Sequence, residues 1–129
     1  MLDAMPEHPP HILILEQKIE TAELSRLVRT FFGDMVKVVV DIQRGILAVG
    51  GELHADAEDL LLESGSRQDD LWGANYYPGR DRETCIEYTA LINIRPARGN
   101  RSMQVEDAAT RERIRDIIYR LVGEGEPLP

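Results

Sequence analysis

Val36-Lys-Val-Val-Val-Asp-Ile42, Gln43-Arg-Gly45 and Ile46-Leu-Ala-Val-Gly-Gly-Glu-Leu-His-Ala-Asp56 decide how the chain is read. Two β-branched runs flank a turn that contains glycine, which is a hairpin signature. Side chains alternate faces along a strand. With Arg44-Gly45 as a two-residue turn, Ile42 pairs with Leu47, Val40 with Val49, Val38 with Gly51 and Val36 with Leu53. That face is apolar throughout. The other face carries Lys37, Val39, Asp41 and Gln43, and then Ile46, Ala48, Gly50, Glu52 and His54. A one-residue slip would mix the two sets, so the pattern itself argues for this register. Arg-Gly is weaker turn chemistry than Asn-Gly, and the rival is a longer loop with Gly45 at a bulge, which regroups the second strand.

Upstream, His11 to Glu16 reads as a short strand. Thr21 offers a helix N-cap, with Glu23 in the first turn. Leu24, Leu27, Val28 and Phe31 recur at helical spacing, and Gly33 follows as a stop. Downstream, Ala57 to Ser66 fits two readings. Asp56 could cap a two-turn helix, or Asp59 to Glu63 could be a strand turning at Ser64-Gly65; the strand is favoured because Leu71 to Tyr77 is strand-like again. Ile86 to Arg95 alternates cleanly, with Ile86, Tyr88, Ala90, Ile92 and Ile94 on one face, and Pro96 ends it. Asp107 can cap a final helix whose stripe is Ile114, Ile117, Ile118, Leu121 and Val122, stopped by Gly123. Short connections favour antiparallel neighbours. The predicted fold is α+β: a two-layer domain with one largely antiparallel sheet of about four to six strands and two helices packed on one face. Residues 1–10 are expected to be a mobile N-terminal arm, 11–123 a single domain and 124–129 a frayed tail.

The chain has 129 residues, 15 basic and 23 acidic side chains, and a formal net charge of −8. Such a length fits one domain. The charge disfavours nucleic acid, whose binding depends on neutralising phosphates, and anionic membranes. A single cysteine, Cys85, gives no internal disulfide framework and fits a reducing compartment. No basic segment followed by an apolar run opens the sequence, and no apolar run reaches membrane-spanning length. A cytoplasmic domain is therefore expected.

Gly50 to Glu58 (Gly-Gly-Glu-Leu-His-Ala-Asp-Ala-Glu), Asp70-Leu71-Trp72-Gly73, and Asn93-Ile94-Arg95-Pro96 with Gly99-Asn100-Arg101-Ser102 resemble an uncharacterised family of small prokaryotic proteins, a domain of unknown function. The resemblance covers roughly residues 32–122. It implies a stand-alone prokaryotic domain, and it carries no activity and no functional residues.

Two constellations could carry chemistry. Asp41, Glu52, His54 and Asp56 combine imidazole with carboxylates. Such groups serve as general acid and base or as ligands for a divalent metal. His54, Glu52 and Asp41 are the catalytic candidates of a hydrolase-like reading, and His54, Glu52 and Asp56 the metal candidates. Against this stands a plain cross-strand pair of Glu52 with Lys37. Asn93, Arg95, Arg98, Asn100 and Arg101 form the second cluster. Guanidinium groups bind carboxylate or phosphate through paired hydrogen bonds, and a following helix start also favours anions. Trp72, with Gly73 beside it leaving room for a ring, is a further candidate ligand platform; like Tyr76, Tyr77 and Tyr88 it reads first as a core or cross-strand aromatic, with a subunit contact as the other alternative. The alternative is that these arginines pair with the acidic run from Asp56 to Asp70. The favoured functional reading is a small binding or interaction domain. Its anion site would lie on the polar sheet face and the Arg95–Arg101 loop, for a small anionic ligand, with a homo-oligomer or a protein partner expected.

Overall fold

The computed structural model describes residues 11–129; the expected N-terminal arm at residues 1–10 lies outside them. The hairpin of Val36–Asp41 (β2) and Ile46–Gly50 (β3) stands at the centre of a five-stranded antiparallel sheet. Ile12–Leu15 (β1) pairs with β3, Leu71–Tyr76 (β4) with β2, and Ile86–Glu87 (β5) with β4, giving the order β1-β3-β2-β4-β5.

The hairpin keeps the predicted faces but not the predicted register. Val40 lies opposite Leu47 and Asp41 opposite Ile46, so the loop is Ile42 to Gly45. Pairing has slipped by two residues, an even number, and each side chain therefore stays on its face. Asp41 is the cause. Its Oδ1 accepts the backbone N–H groups of Gln43 and Arg44, each at 2.9 Å, and its carbonyl accepts from Gly45. This Asx turn stabilises a longer loop, and Gly45 takes the positive φ, 70°, that closes it. In this register Lys37 no longer lies opposite Glu52.

Two helices cover one face of the sheet, as the sequence predicts. Thr21–Phe31 (α1) buries Leu24, Leu27 and Val28, and the final helix buries Ile114, Ile117, Ile118 and Leu121. They meet Val36, Val38, Val40, Leu47 and Val49 in one continuous core. Between them in sequence lies a helix where the strand was favoured. His54–Glu63 (α2) covers part of the opposite face and packs Ala57 and Leu61 on Val39, Ala48, Ile46 and Leu71. Its buried positions are His54, Ala57, Glu58 and Leu61, an i, i+3, i+4, i+7 stripe. Two of those four residues are polar, and that hid the helical period in the sequence. The final helix, Ala108–Leu121 (α3), starts as predicted, with Asp107 accepting the Thr110 N–H at 2.9 Å.

The predicted strand Ile86 to Arg95 stops after Glu87. The chain turns through a 3-10 segment at Leu91–Asn93 and another at Pro96–Arg98. The backbone edge of β4 at Gly73 is instead met by a side chain. Asn93 Oδ1 accepts the Gly73 N–H at 2.8 Å, and Asn93 Nδ2 donates to the Gly73 carbonyl at 3.0 Å. A carboxamide thus stands where a neighbouring strand's peptide group would be. Gly73 permits this approach, since a Cβ there would collide with the Ala90 side chain.

The tail, predicted to fray, is tied to the fold. The Gly125 N–H donates to the Tyr76 hydroxyl at 2.9 Å, and the Gly125 carbonyl accepts from Gly79. Burial pushes the Tyr76 phenol up to about 12, so it stays neutral across the working range of pH. Among the described residues no helix is long and apolar enough to cross a membrane.

Candidate functional site

The sheet register builds a polar row. Lys37 on β2 is the cross-strand partner of Asn75 on β4, and Asn75 is the partner of Glu87 on β5. All three share the face covered by α2. That helix begins at His54 and leaves the row beyond it open. The result is a cleft of about 570 Å³, floored by the row and His54 and walled by Phe32, Met35, Leu53, Leu91, Ile92 and Met103.

The walls are unusual for their exposure. Leu91 is 71% exposed, Leu53 56%, Met103 40% and Phe32 39%. Among the described residues these are four of the five exposed large apolar side chains, and all four line this cleft; Ile94 is the fifth. Apolar side chains scattered singly over a surface need no explanation, but a set gathered round one concavity does.

The floor has a defined hydrogen-bond arrangement. Glu87 Oε1 accepts from Asn75 Nδ2 at 2.9 Å and from the Tyr77 hydroxyl at 3.2 Å. Burial, and then the Glu87 charge, hold the Tyr77 phenol above its ordinary pKa. Asn75 is only 8% exposed, and its Oδ1 is buried with no hydrogen-bond partner among the described residues. The Lys37 ammonium lies 5.2 Å from the centre of the Phe32 ring, a cation–π contact, and makes no ion pair among the described residues.

His54 is buried at the head of α2. Its Nε2 lies 2.8 Å from the Ala74 carbonyl, which can only accept, so Nε2 carries the proton of the neutral ring. Burial is the main cause that pushes the imidazole below its usual 6.5, with the Lys37 charge adding to it; the Ala74 carbonyl and the Asn75 side chain oppose the shift. The unfolded chain therefore takes up a proton at a pH where the folded chain refuses it. Stability should be full above the ordinary imidazole pKa and should fall as pH drops through the depressed folded value. Urea unfolding at about pH 7.5 and about pH 5.5 should show this fall in the wild type and a smaller one in His54→Gln. Equal pH dependence in both would mean that His54 is not the titrating group.

The structure does not gather the predicted acid/base and metal candidates. Asp41 is buried in the hairpin turn and lies opposite Leu71, while His54 reaches the strand at Ala74. Glu52 and Asp56 line a separate depression with His11, on the other side of Leu53. Among the described residues no group of three or more His, Cys, Asp or Glu side chains is placed to hold a metal. The hydrolase-like alternative uses Asp41, Glu52 and His54 and needs His54, Asp41 and Arg95 to converge on one pocket; Arg95 is instead paired with Glu58, and the geometry does not support that reading. The physical reason is α2. Once the chain after Leu53 coils, His54 and Asp56 no longer continue a strand's alternation.

The arginine cluster is largely paired within the molecule, along the alternative left open by the sequence. Arg95 meets Glu58 at 3.3 Å, with both side chains nearly buried, and stands 5.2 Å from the Trp72 ring centre. Arg98 bonds the Asp69 carbonyl and lies 3.4 Å from its carboxylate. Asn93 and Asn100 hold loops. Asn100 Nδ2 donates to the carbonyls of Asn93, Ser102 and Gln104, while its Oδ1 accepts from Glu106. The Arg101 and Ser102 N–H groups are taken by the Glu106 carboxylate. Two donors remain: Arg95 Nη1 and Trp72 Nε1 are buried and without a hydrogen-bond partner among the described residues.

The cleft itself escaped the sequence reading. Lys37, Asn75 and Glu87 lie far apart in the chain, and Leu53 looks like an ordinary core position. The signals in the sequence are Lys37 on the polar face of β2 and Leu91 on the polar face of its predicted strand, an apolar side chain that asks for a cover.

A family model of a protein of unknown function, DUF5674, matches residues 13–121. The chain belongs to that family. No curated protein and no solved structure matches it.

Proposed function

We propose that this domain is a binding module that takes a ligand or partner with apolar groups into the cleft between the head of α2, the start of β2 and the 89–92 segment. The convergence of Phe32, Leu53, Leu91 and Met103 on one concavity carries this reading. A concave, mostly apolar site with a few placed polar groups is the usual form of a ligand site, and about 570 Å³ lies in its usual size range. Titration with isobutanol and with phenol, followed by amide NMR, tests it. Shifts should gather at Leu53 to Ala55, Asn75 and Thr89 to Ile92. They should vanish in Leu53→Asp/Leu91→Asp, whose stability should change little because both positions are exposed. Shifts spread over the surface, or unaffected by those substitutions, would defeat it.

A second reading, a small anion at the Arg95 end of the sheet, is favoured by the two unpartnered buried donors, Arg95 Nη1 and Trp72 Nε1. Sulfate added to the same samples should then shift Trp72 and Arg95 to Asn100. An unchanged spectrum there leaves Arg95 as the partner of Glu58 alone.

A further inference from the structure

We infer that the occupant of this cleft is an apolar polypeptide segment, and that Lys37 and Asn75 read its backbone amide; the inference rests on the cleft being the binding site. The two floor residues are cross-strand partners, so their side chains leave the sheet side by side. Lys37 is a donor without an ion pair among the described residues, and Asn75 Oδ1, beside the His54 ring whose pKa that side chain helps to raise, meets no hydrogen-bond geometry among them. Turning the Asn75 amide to meet an arriving donor gives up its Nδ2 bond to Glu87, a bond that the ligand N–H then has to replace.

Ligand classes differ in how they meet this pair. A carboxylate would satisfy Lys37 but bring a second negative charge beside Glu87. An ammonium would satisfy Asn75 and Glu87 but stand against Lys37. A secondary amide supplies a carbonyl for Lys37 and an N–H for Asn75, and it brings no charge into a floor that already holds one of each sign. The walls, Phe32, Leu53, Leu91 and Met103, then ask for apolar side chains next to that amide. A cleft of about 570 Å³ accommodates more than one such side chain.

The test uses three probes on the full chain: N-acetyl-leucyl-leucinamide, its ester analogue with oxygen in place of the central N–H, and free leucine. The blocked dipeptide should shift the cleft amides and bind about five-fold more tightly than the ester, the size expected for one hydrogen bond. Asn75→Ala should erase the difference between amide and ester, and Lys37→Met should weaken both. The Lys37 variant keeps the test decisive if Asn75→Ala does not fold. Equal binding of amide and ester in the wild type would overturn the amide-reading claim. Tighter binding of free leucine would overturn it in favour of a charged amino acid. If isobutanol and phenol occupy the cleft but the dipeptide does not, the inference fails while the binding site stands; if none of them binds there, both fail.

Discussion

Asn93→Leu should lower the unfolding free energy by roughly 3–5 kcal/mol, because a fully buried carboxamide is replaced by a side chain of similar size that cannot hydrogen-bond. The amide accepts the Gly73 N–H and donates to the Gly73 and Met103 carbonyls. The Met103 carbonyl keeps a second partner, the Ala90 N–H, but both polar groups of Gly73 lose theirs on this edge. An unsatisfied buried backbone group costs about 1–3 kcal/mol. Asn93→Asp should not rescue the loss, since a carboxylate would face the two carbonyls that the amide now serves. Because Asn93 also pins the 89–92 wall of the cleft against β4, the variant should bind phenol less well even where it remains folded. Urea unfolding gives the first quantity and the NMR titration the second. A stability loss under about 1 kcal/mol would mean that water or a backbone shift replaces the amide.

Glu58→Leu is expected to destabilise the domain by about 3 kcal/mol, by leaving the Arg95 guanidinium buried without its carboxylate. Desolvation already holds the Arg95 pKa below its usual value, with Glu58 the main force opposing it. The double variant Glu58→Leu/Arg95→Met should recover most of the loss, since an apolar pair of similar volume often does as well as a buried ion pair. The cycle reads the coupling directly. A single variant as stable as the wild type would place Arg95 in solvent. Sulfate restoring the stability of Glu58→Leu would show that an anion can take the carboxylate's place.

Both effects turn on polar side chains working inside the fold, and this is where the sequence was hardest to read. Glu58 and His54 occupy half of the buried stripe of α2, so the helical period was masked and a strand was favoured. Asn93 stands in a run whose apolar alternation from Ile86 to Ile94 fits a strand, yet its amide substitutes for that strand's backbone. Asp41 carries no periodic signal, yet its Asx turn moved the hairpin register by two residues. Local pattern reports which face a side chain prefers; it does not report which distant group a carboxylate or amide will find.

The sequence by itself determined the central hairpin and its two faces, the helix stripes of α1 and α3, the Asp107 cap and the α+β class. These follow from periodicity and from turn and cap chemistry, which act over a few residues. The tertiary structure alone decided the rest. It turned the Arg95–Arg101 loop inward onto Glu58, Asp69 and Glu106, because burial and proximity favour an internal carboxylate over a dilute external anion. It also brought Lys37, Asn75 and Glu87 into one row and gathered Phe32, Leu53, Leu91 and Met103 around it. Strand order sets that meeting, and no local preference of the chain encodes it.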